Sequence, residues 1–172
     1  ASGRNDGEVH PGIDLGKGSL KHKYIRRANH MYADVCRELD VPFKQVGQYV
    51  LFRNAALKPL IGLYAFWRKH HDGIEDTEII SGKELMRREP NLTPETKFAM
   101  YNPSAGCVCP YGLTIAYAEN AVQNGAQVSL NTAVLSMEVS EHNIISVTTN
   151  RGVIHPKIVI NAAGVFAEDI AA

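Results

Sequence analysis

Apolar residues recur three and four positions apart at Leu20, Tyr24, Ala28, Met31, Val35 and Leu39, which predicts a helix with one apolar face. Ser19 stands where an N-cap belongs, and Asp40 with Pro42 ends the pattern. Residues 1–18 carry glycines at 3, 7, 12, 16 and 18 and read as a loop. Val46, Tyr49, Val50, Leu51 and Phe52 predict a strand over residues 43–52. Asn54 is placed to cap a second helix over 55–70, or one starting near 58, where Pro59 suits the first turn. The pair Asp72-Gly73 would end it, and Leu63, Tyr64, Phe66 and Trp67 would form its core or interface side. A short strand is expected at 77–80. Ser81 with Glu84 three residues on makes a capping-box pattern for a third helix, which stops by Pro90.

Two strands follow, at 97–101 and 106–109. Pro110 opens a helix to about residue 124, with Leu113, Ala116, Tyr117 and Ala121 on one face and Gly125 as its stop. Further β runs cover 128–130 with 133–139, 144–149 and 153–155, and Asn150-Arg151-Gly152 suits a hairpin turn. Ile158-Val159-Ile160 is continuous rather than alternating, as in a parallel strand buried on both faces. A helical start lies beyond Val165. The pattern is that of an α+β (mixed α/β) fold with several antiparallel strands and no internal repeat.

Composition narrows the function classes. The 172 residues are 45% apolar, enough for a packed core. Lysine and arginine number 18, as do aspartate and glutamate, so no net field draws nucleic acid to the chain. No apolar run is long enough to span a bilayer, and the polar, Gly-rich start is unlike a signal peptide. Three cysteines make a poor disulfide framework. The expected location is therefore the cytoplasm, with a peripheral place on the inner face of the membrane as the further option. Cys107 and Cys109 alternate onto one face of a strand, too close together for a zinc site. His70 and His71 point apart on a helix, so no metal site is expected. Both ends of the chain read as cut.

Asn161-Ala162-Ala163-Gly164 follows the expected buried strand and precedes a helical start. Small residues there let backbone approach a ligand, and the helix N-terminus suits a diphosphate. Small residues packed only for steric reasons are the alternative. Together with its flanks, residues 157–172, this stretch resembles the second FAD-contacting turn of the D-amino-acid oxidase superfamily of FAD-dependent oxidoreductases. Ser2-Gly3-Arg4-Asn5-Asp6-Gly7 is similar to that family's flavin-wrapping Ser-Gly-x-Asn-x-Gly loop, and Val9-His10-Pro11-Gly12 continues it. The Gly106–Pro110 segment, the helix after it, Thr132-Ala133-Val134 and Ser81-Gly82 through Leu92 fall in the family's order. The helix over residues 18–39 and Asp40-Val41-Pro42-Phe43 look closest to bacterial glycerol-3-phosphate dehydrogenases.

That resemblance implies an FAD-binding Rossmann-like lobe, in part, from residues 1–40 and 111–172, and an antiparallel substrate lobe from 41–110. It implies Ser2, Gly3, Asn5 and Gly7 along the flavin, Val134 against the adenine, and Ala162, Ala163 and Gly164 near the diphosphate. His10 would take the proton from a small anionic hydroxy substrate; a loop histidine that only packs is the alternative. Tyr49 or Arg53 would touch substrate. Lys17, Lys21, Lys23, Arg26 and Arg27 would attract an anion or form a solvated helix face. The substrate would be glycerol 3-phosphate, then a 2-hydroxy acid, then an amino acid, and the electron acceptor a quinone, oxygen or a partner subunit. The family's Gly-x-Gly-x-x-Gly turn is absent, so this chain alone is expected to bind FAD weakly or not at all. A non-catalytic binding or assembly module that has lost the cofactor is the rival reading.

Overall fold

The structure, a computed structural model, describes residues 2–72, 74, 77–141 and 143–171. It divides into two compact units, Ser2–Asn120 and Ala121–Ala172. The mixed α and β class holds in both, and every strand pairing among the described residues is antiparallel.

The first unit holds two three-stranded sheets. In one, β6 (Gly106–Val108) lies between β1 (Glu8–Val9) and β2 (Phe43–Lys44). In the other, β5 (Phe98–Asn102) lies between β3 (Gln48–Phe52) and β4 (Glu78–Ser81). The loop expected over 1–18 thus contains a short strand, because Glu8 and Val9 find Cys107 and Gly106 as partners. The strand expected over 43–52 is two strands in two sheets. Gly47 makes the switch: its φ is +77°, and a Cβ there would meet the Tyr101 ring at 2.4 Å. Only glycine fits such a turn without displacing the ring.

β5 is the central strand of its sheet, with Phe98, Ala99, Met100 and Asn102 all buried. Met100 packs with Ile13, Ala65 and Ile74, and Ala99 with Ile80 and Leu85. Full burial of a side chain such as Leu85 stabilises by about 1.5–3 kcal/mol.

Helix α1 (Leu20–Glu38) begins as expected, with Ser19 Oγ accepting from the His22 amide at 3.1 Å. Its packed side is not the apolar stripe. Leu20, Tyr24 and Met31 are exposed, whereas His22 and Cys36 are buried. Polar anchors fix this orientation. Asn29 Nδ2 donates to the carbonyls of His10 and Ser104, at 3.1 and 2.9 Å, and Arg26 donates to that of Pro11. Asn54 caps a 3-10 turn, Ala55–Leu57, ahead of α2 (Lys58–Asp72). Gly73, expected to end α2, lies outside the described residues. The core reading of Leu63, Phe66 and Trp67 is corrected: all three are exposed, and α2 packs through Ala65 and Arg68. Ser81 caps α3 (Gly82–Arg88) by accepting from the Glu84 amide. The Glu84 carboxylate turns to Arg87 and Arg88, whose hydrogen bonds and charge hold its pKa down at about 2.

α4 (Pro110–Gln123) ends at Gly125, where φ is +90°. In the second unit, β7 (Val134–Ser140), β8 (Asn143–Thr149) and β9 (Gly152–Ile154) form a meander. Thr149 faces Gly152 across the expected turn, and Asn150 Oδ1 accepts from the Ala133 amide at 2.9 Å. Residues 128–130 form no strand. Neither do residues 158–160, where Ile158 and Ile160 are 80% and 86% exposed. A strand buried on both faces needs neighbours to take its hydrogen bonds, and no described strand flanks this one. A 3-10 turn, Gly164–Phe166, leads into the short α5 (Ala167–Ala171), as expected beyond Val165. No helix among the described residues is long and apolar enough to cross a membrane.

Candidate functional site

Local hydrogen bonds shape the loop of residues 2–7. Asn5 Nδ2 donates to the Ser2 carbonyl at 2.6 Å, and Asn5 Oδ1 accepts from the Gly7 amide at 2.9 Å. Asparagine suits this because its side chain mimics a backbone turn. Gly7 sits against β6: its carbonyl accepts from Val108, and a Cβ would lie 2.2 Å from the Val108 oxygen. Gly3 lies under the ring of Tyr111.

Ser2, Asn5, Gly7 and Glu8 form one wall of a cavity of about 340 Å³, which Tyr32, Tyr117 and the start of α4 complete. Burial pushes the Tyr32 hydroxyl pKa up, and the neighbouring Tyr117 and Cys36 add to the rise. Tyr32 therefore stays a neutral donor and acceptor at the edge of the space.

Beyond Gly7 the backbone alternates. Val9 is buried, while Glu8 and His10 on either side of it are half-buried. Glu8 Oε1 lies 3.4 Å from His10 Nδ1 and accepts from Gln48 Nε2 of β3 at 2.6 Å. The three residues after His10 are buried and clamped. Arg68 Nη2 donates to the Gly12 carbonyl at 2.7 Å, and the Tyr64 hydroxyl donates to that of Ile13 at 2.5 Å. Arg68 in turn pairs with the fully buried Asp72 side chain at 2.6 Å, with Lys17 3.5 Å from the same carboxylate.

The remaining candidates stand apart from this cavity's lining. Tyr49 stacks on Tyr101 with ring centres 4.7 Å apart, and Arg53 is exposed and paired with Glu95 at 3.2 Å. Of the basic cluster, Lys17 holds Asp72 and the His71 carbonyl, and Arg26 holds Pro11. Those two cations fix structure. Cys107 and Cys109 are exposed free thiols; β6 stops at Val108, so they do not share a strand. No group of three metal-type ligands gathers among the described residues.

In the second unit Val134 lies on the wall of a cleft of about 290 Å³ between β7 and Asp169–Ile170. Ala162, Ala163 and Gly164 form a turn outside that lining. Asn161 Oδ1 accepts from the Ala163 amide at 3.2 Å, and Asn161 Nδ2 donates to the Ala167 carbonyl. A Cβ at Gly164 would meet open space, and the 3-10 turn that starts there carries no side-chain cap.

Sequence reasoning missed Glu8, Gln48 and Arg68. The two-residue spacing of Glu8 and His10 was a usable signal once β1 is a strand. Arg68 gave none, because its burial depends on a loop more than fifty residues away.

Solved structures share this fold. It superposes on glycine oxidase from Bacillus cereus with a TM-score of 0.84 at 22% identity, over 99% of this chain and 48% of that one. It also matches L-alpha-glycerophosphate oxidase from Mycoplasma pneumoniae with FAD bound, TM-score 0.73 at 21% identity, over 87% of this chain and 39% of that one. The family model described as FAD dependent oxidoreductase matches residues 1–172, and the chain belongs to this family.

Glycerol 3-phosphate dehydrogenase of Caloramator mitchellensis is 35% identical over 167 residues, 96% of this chain. L-2-hydroxyglutarate dehydrogenase of Indibacter alkaliphilus is 28% identical over 170 residues, 99% of this chain. The chain spans 34% and 42% of the length of these two relatives.

The residues present fit part of an FAD. The cavity beside Ser2, Asn5 and Gly7 is at the low end of the roughly 300–1,000 Å³ typical of small-molecule sites, room for a ring system rather than a whole dinucleotide. The open face at Gly164 admits close approach of a ligand to backbone.

Proposed function

We propose that this chain is part of an FAD-dependent dehydrogenase that oxidises a small anionic hydroxy compound, sn-glycerol 3-phosphate first. The observation that carries the reading is His10: a half-exposed imidazole just past β1 and before a clamped segment, following a loop whose Ser2, Asn5 and Gly7 wall a cavity. The 35% identity to a glycerol 3-phosphate dehydrogenase supports the substrate. A 2-hydroxy acid is the second reading, favoured by the relative named L-2-hydroxyglutarate dehydrogenase. Residues 1–40 and 111–172 would serve the FAD lobe and residues 41–110 the substrate lobe.

FAD, when bound, accepts a hydride from the carbon bearing the hydroxyl. The protein's own part is to hold the substrate and receive the hydroxyl proton. A neutral imidazole suits that at physiological pH, and His10 has the exposure to reach a ligand. Ser2, Gly3, Asn5 and Gly7 would line the flavin, Val134 the adenine, and Ala162, Ala163 and Gly164 the diphosphate. Tyr49 and Arg53 remain candidates for substrate contact, although each already has a protein partner.

The test is a visible absorption scan of the FAD-loaded protein that contains this chain, before and after anaerobic addition of glycerol 3-phosphate. Bleaching of the flavin bands is the expected result. Bands that bleach only with a 2-hydroxy acid would favour the second substrate. No flavin bands after incubation with FAD would leave a non-catalytic module.

A further inference from the structure

We infer that Glu8 is a positioning residue for His10, and that Gln48 holds Glu8 in place for that task. The inference rests on His10 being the proton acceptor proposed above.

Glu8 in β1 and His10 just beyond it flank the buried Val9, and their side chains meet. The Glu8 carboxylate oxygen nearest the imidazole is 3.4 Å from Nδ1. That same oxygen takes the Gln48 amide at 2.6 Å. Gln48 is fixed in turn, because β3 is paired with β5 along its length, Gln48 opposite the buried Asn102. Glu8 Oε1 is therefore held by a side chain from a paired sheet, and the same oxygen faces the imidazole. A second anchor acts on the histidine backbone, whose carbonyl accepts from Asn29 at 3.1 Å.

Chemistry follows from this arrangement. An ionised carboxylate only accepts hydrogen bonds. Facing Nδ1, it favours the tautomer with the proton on Nδ1, which leaves Nε2 as the unprotonated nitrogen. The hydrogen bond at one ring nitrogen sets the role of the other. After Nε2 takes a proton from a substrate hydroxyl, the imidazolium charge lies beside the Glu8 carboxylate, which stabilises it. No proton needs to reach Glu8. At 3.4 Å the pair stands in ion-pair range rather than hydrogen-bonded; catalytic contacts are often long without ligand and tighten in the complex.

The first experiment is nitrogen NMR of the full chain with labelled histidine, at mildly alkaline pH where imidazole is neutral. A His10→Asn variant assigns the His10 signals among the seven histidines. The expected result is a protonated Nδ1 in the unsubstituted chain, a shift toward the Nε2-protonated form in Glu8→Gln, and a smaller shift in Gln48→Leu. Glu8→Gln keeps size and hydrogen-bonding capacity, so the fold survives it. A positioned base contributes on the order of 100-fold to 10,000-fold, so Glu8→Gln in the FAD-loaded protein should slow flavin reduction about tenfold with KM unchanged.

Unchanged His10 nitrogen shifts in Glu8→Gln would overturn the inference. So would a raised KM with unchanged reduction rate, which would make Glu8 a ligand contact instead. If His10→Asn reduces its flavin at the unsubstituted rate, the proton-acceptor reading fails, and the role of Glu8 with it.

Discussion

Replacing Arg68 with methionine should cost this chain roughly 3 kcal/mol of stability. The Arg68 side chain is 3% exposed, and the Asp72 carboxylate it pairs with is fully buried at 2.6 Å. Methionine fills most of the volume but leaves that carboxylate, among the described residues, with Lys17 as its one cation, 3.5 Å away and half-exposed. Removing one partner of a buried pair costs about 3–5 kcal/mol. Lys17 offsets part of this, and loss of the charged hydrogen bond to the Gly12 carbonyl adds to it. A net loss of about 3 kcal/mol is expected, which lowers the melting temperature by about 10 °C in a chain of this size.

The single tryptophan, Trp67, neighbours Arg68 on the same helix, so urea unfolding followed by its fluorescence reports the right unit. The double variant Arg68→Met with Asp72→Asn removes both charges, and should recover at least half of the loss. A single-variant loss below about 1 kcal/mol would refute the reasoning. So would a double variant whose loss equals the sum of the two singles, since that would mean no coupling.

Other outcomes follow from the same structure. Gly47→Ala places a Cβ into the Tyr101 ring at positive φ, and should cost about 1–3 kcal/mol in urea unfolding; a neutral result would mean the turn between β2 and β3 relaxes freely. The Glu84 carboxylate, hydrogen-bonded by Arg87 and Arg88, is held at about 2 against an ordinary 4.5. Its contribution to stability is thus present above pH 4.5 and is lost as pH falls through about 2. Glu84→Gln should flatten the pH dependence of unfolding in that window, and a profile identical to the unsubstituted chain would count against the contact. The isolated chain should bind FAD weakly or not at all in equilibrium dialysis, and a stoichiometric flavin surviving purification would reverse that expectation.

Local signals in the sequence carried far. Ser19 and Ser81 cap the helices they were expected to cap. Gly125 and the Asn150 turn fall where expected. Each of these depends on bonds spanning only a few residues, so the sequence order itself contains the answer. The strand over 43–52 did not survive because the switch at Gly47 depends on the Tyr101 ring, more than fifty residues away. The apolar pattern of α1 gives the helix but not its packed side: three-residue and four-residue spacing identifies a face, not the partner that face meets. Here Asn29 and Arg26 decide which side packs, through carbonyls of loops at both ends of the unit.

The candidate site divides along the same line. Residues 2–7 read as a loop from their glycines, while Ser2, Asn5 and Gly7 came in as flavin-lining residues only through resemblance; the asparagine turn that shapes the loop is local. His10 was legible only through resemblance, as a residue type in a motif. The structure adds three contacts around it: the Glu8 carboxylate two residues back, an amide from β3 on that carboxylate, and a buried arginine on the Gly12 carbonyl. None of the three belongs to the motif. The positioning inferred for His10 requires restraint on both ring and backbone, and in this chain the contacts to each come from different elements. Glu8→Gln should therefore disturb the ring's tautomer without unfolding the strand, while Arg68→Met should loosen the backbone at Gly12, two residues beyond His10, and leave the Glu8 contact to follow it. Opposite rankings of the two variants, with Glu8→Gln the more destabilising, would mean the carboxylate serves the fold rather than the imidazole.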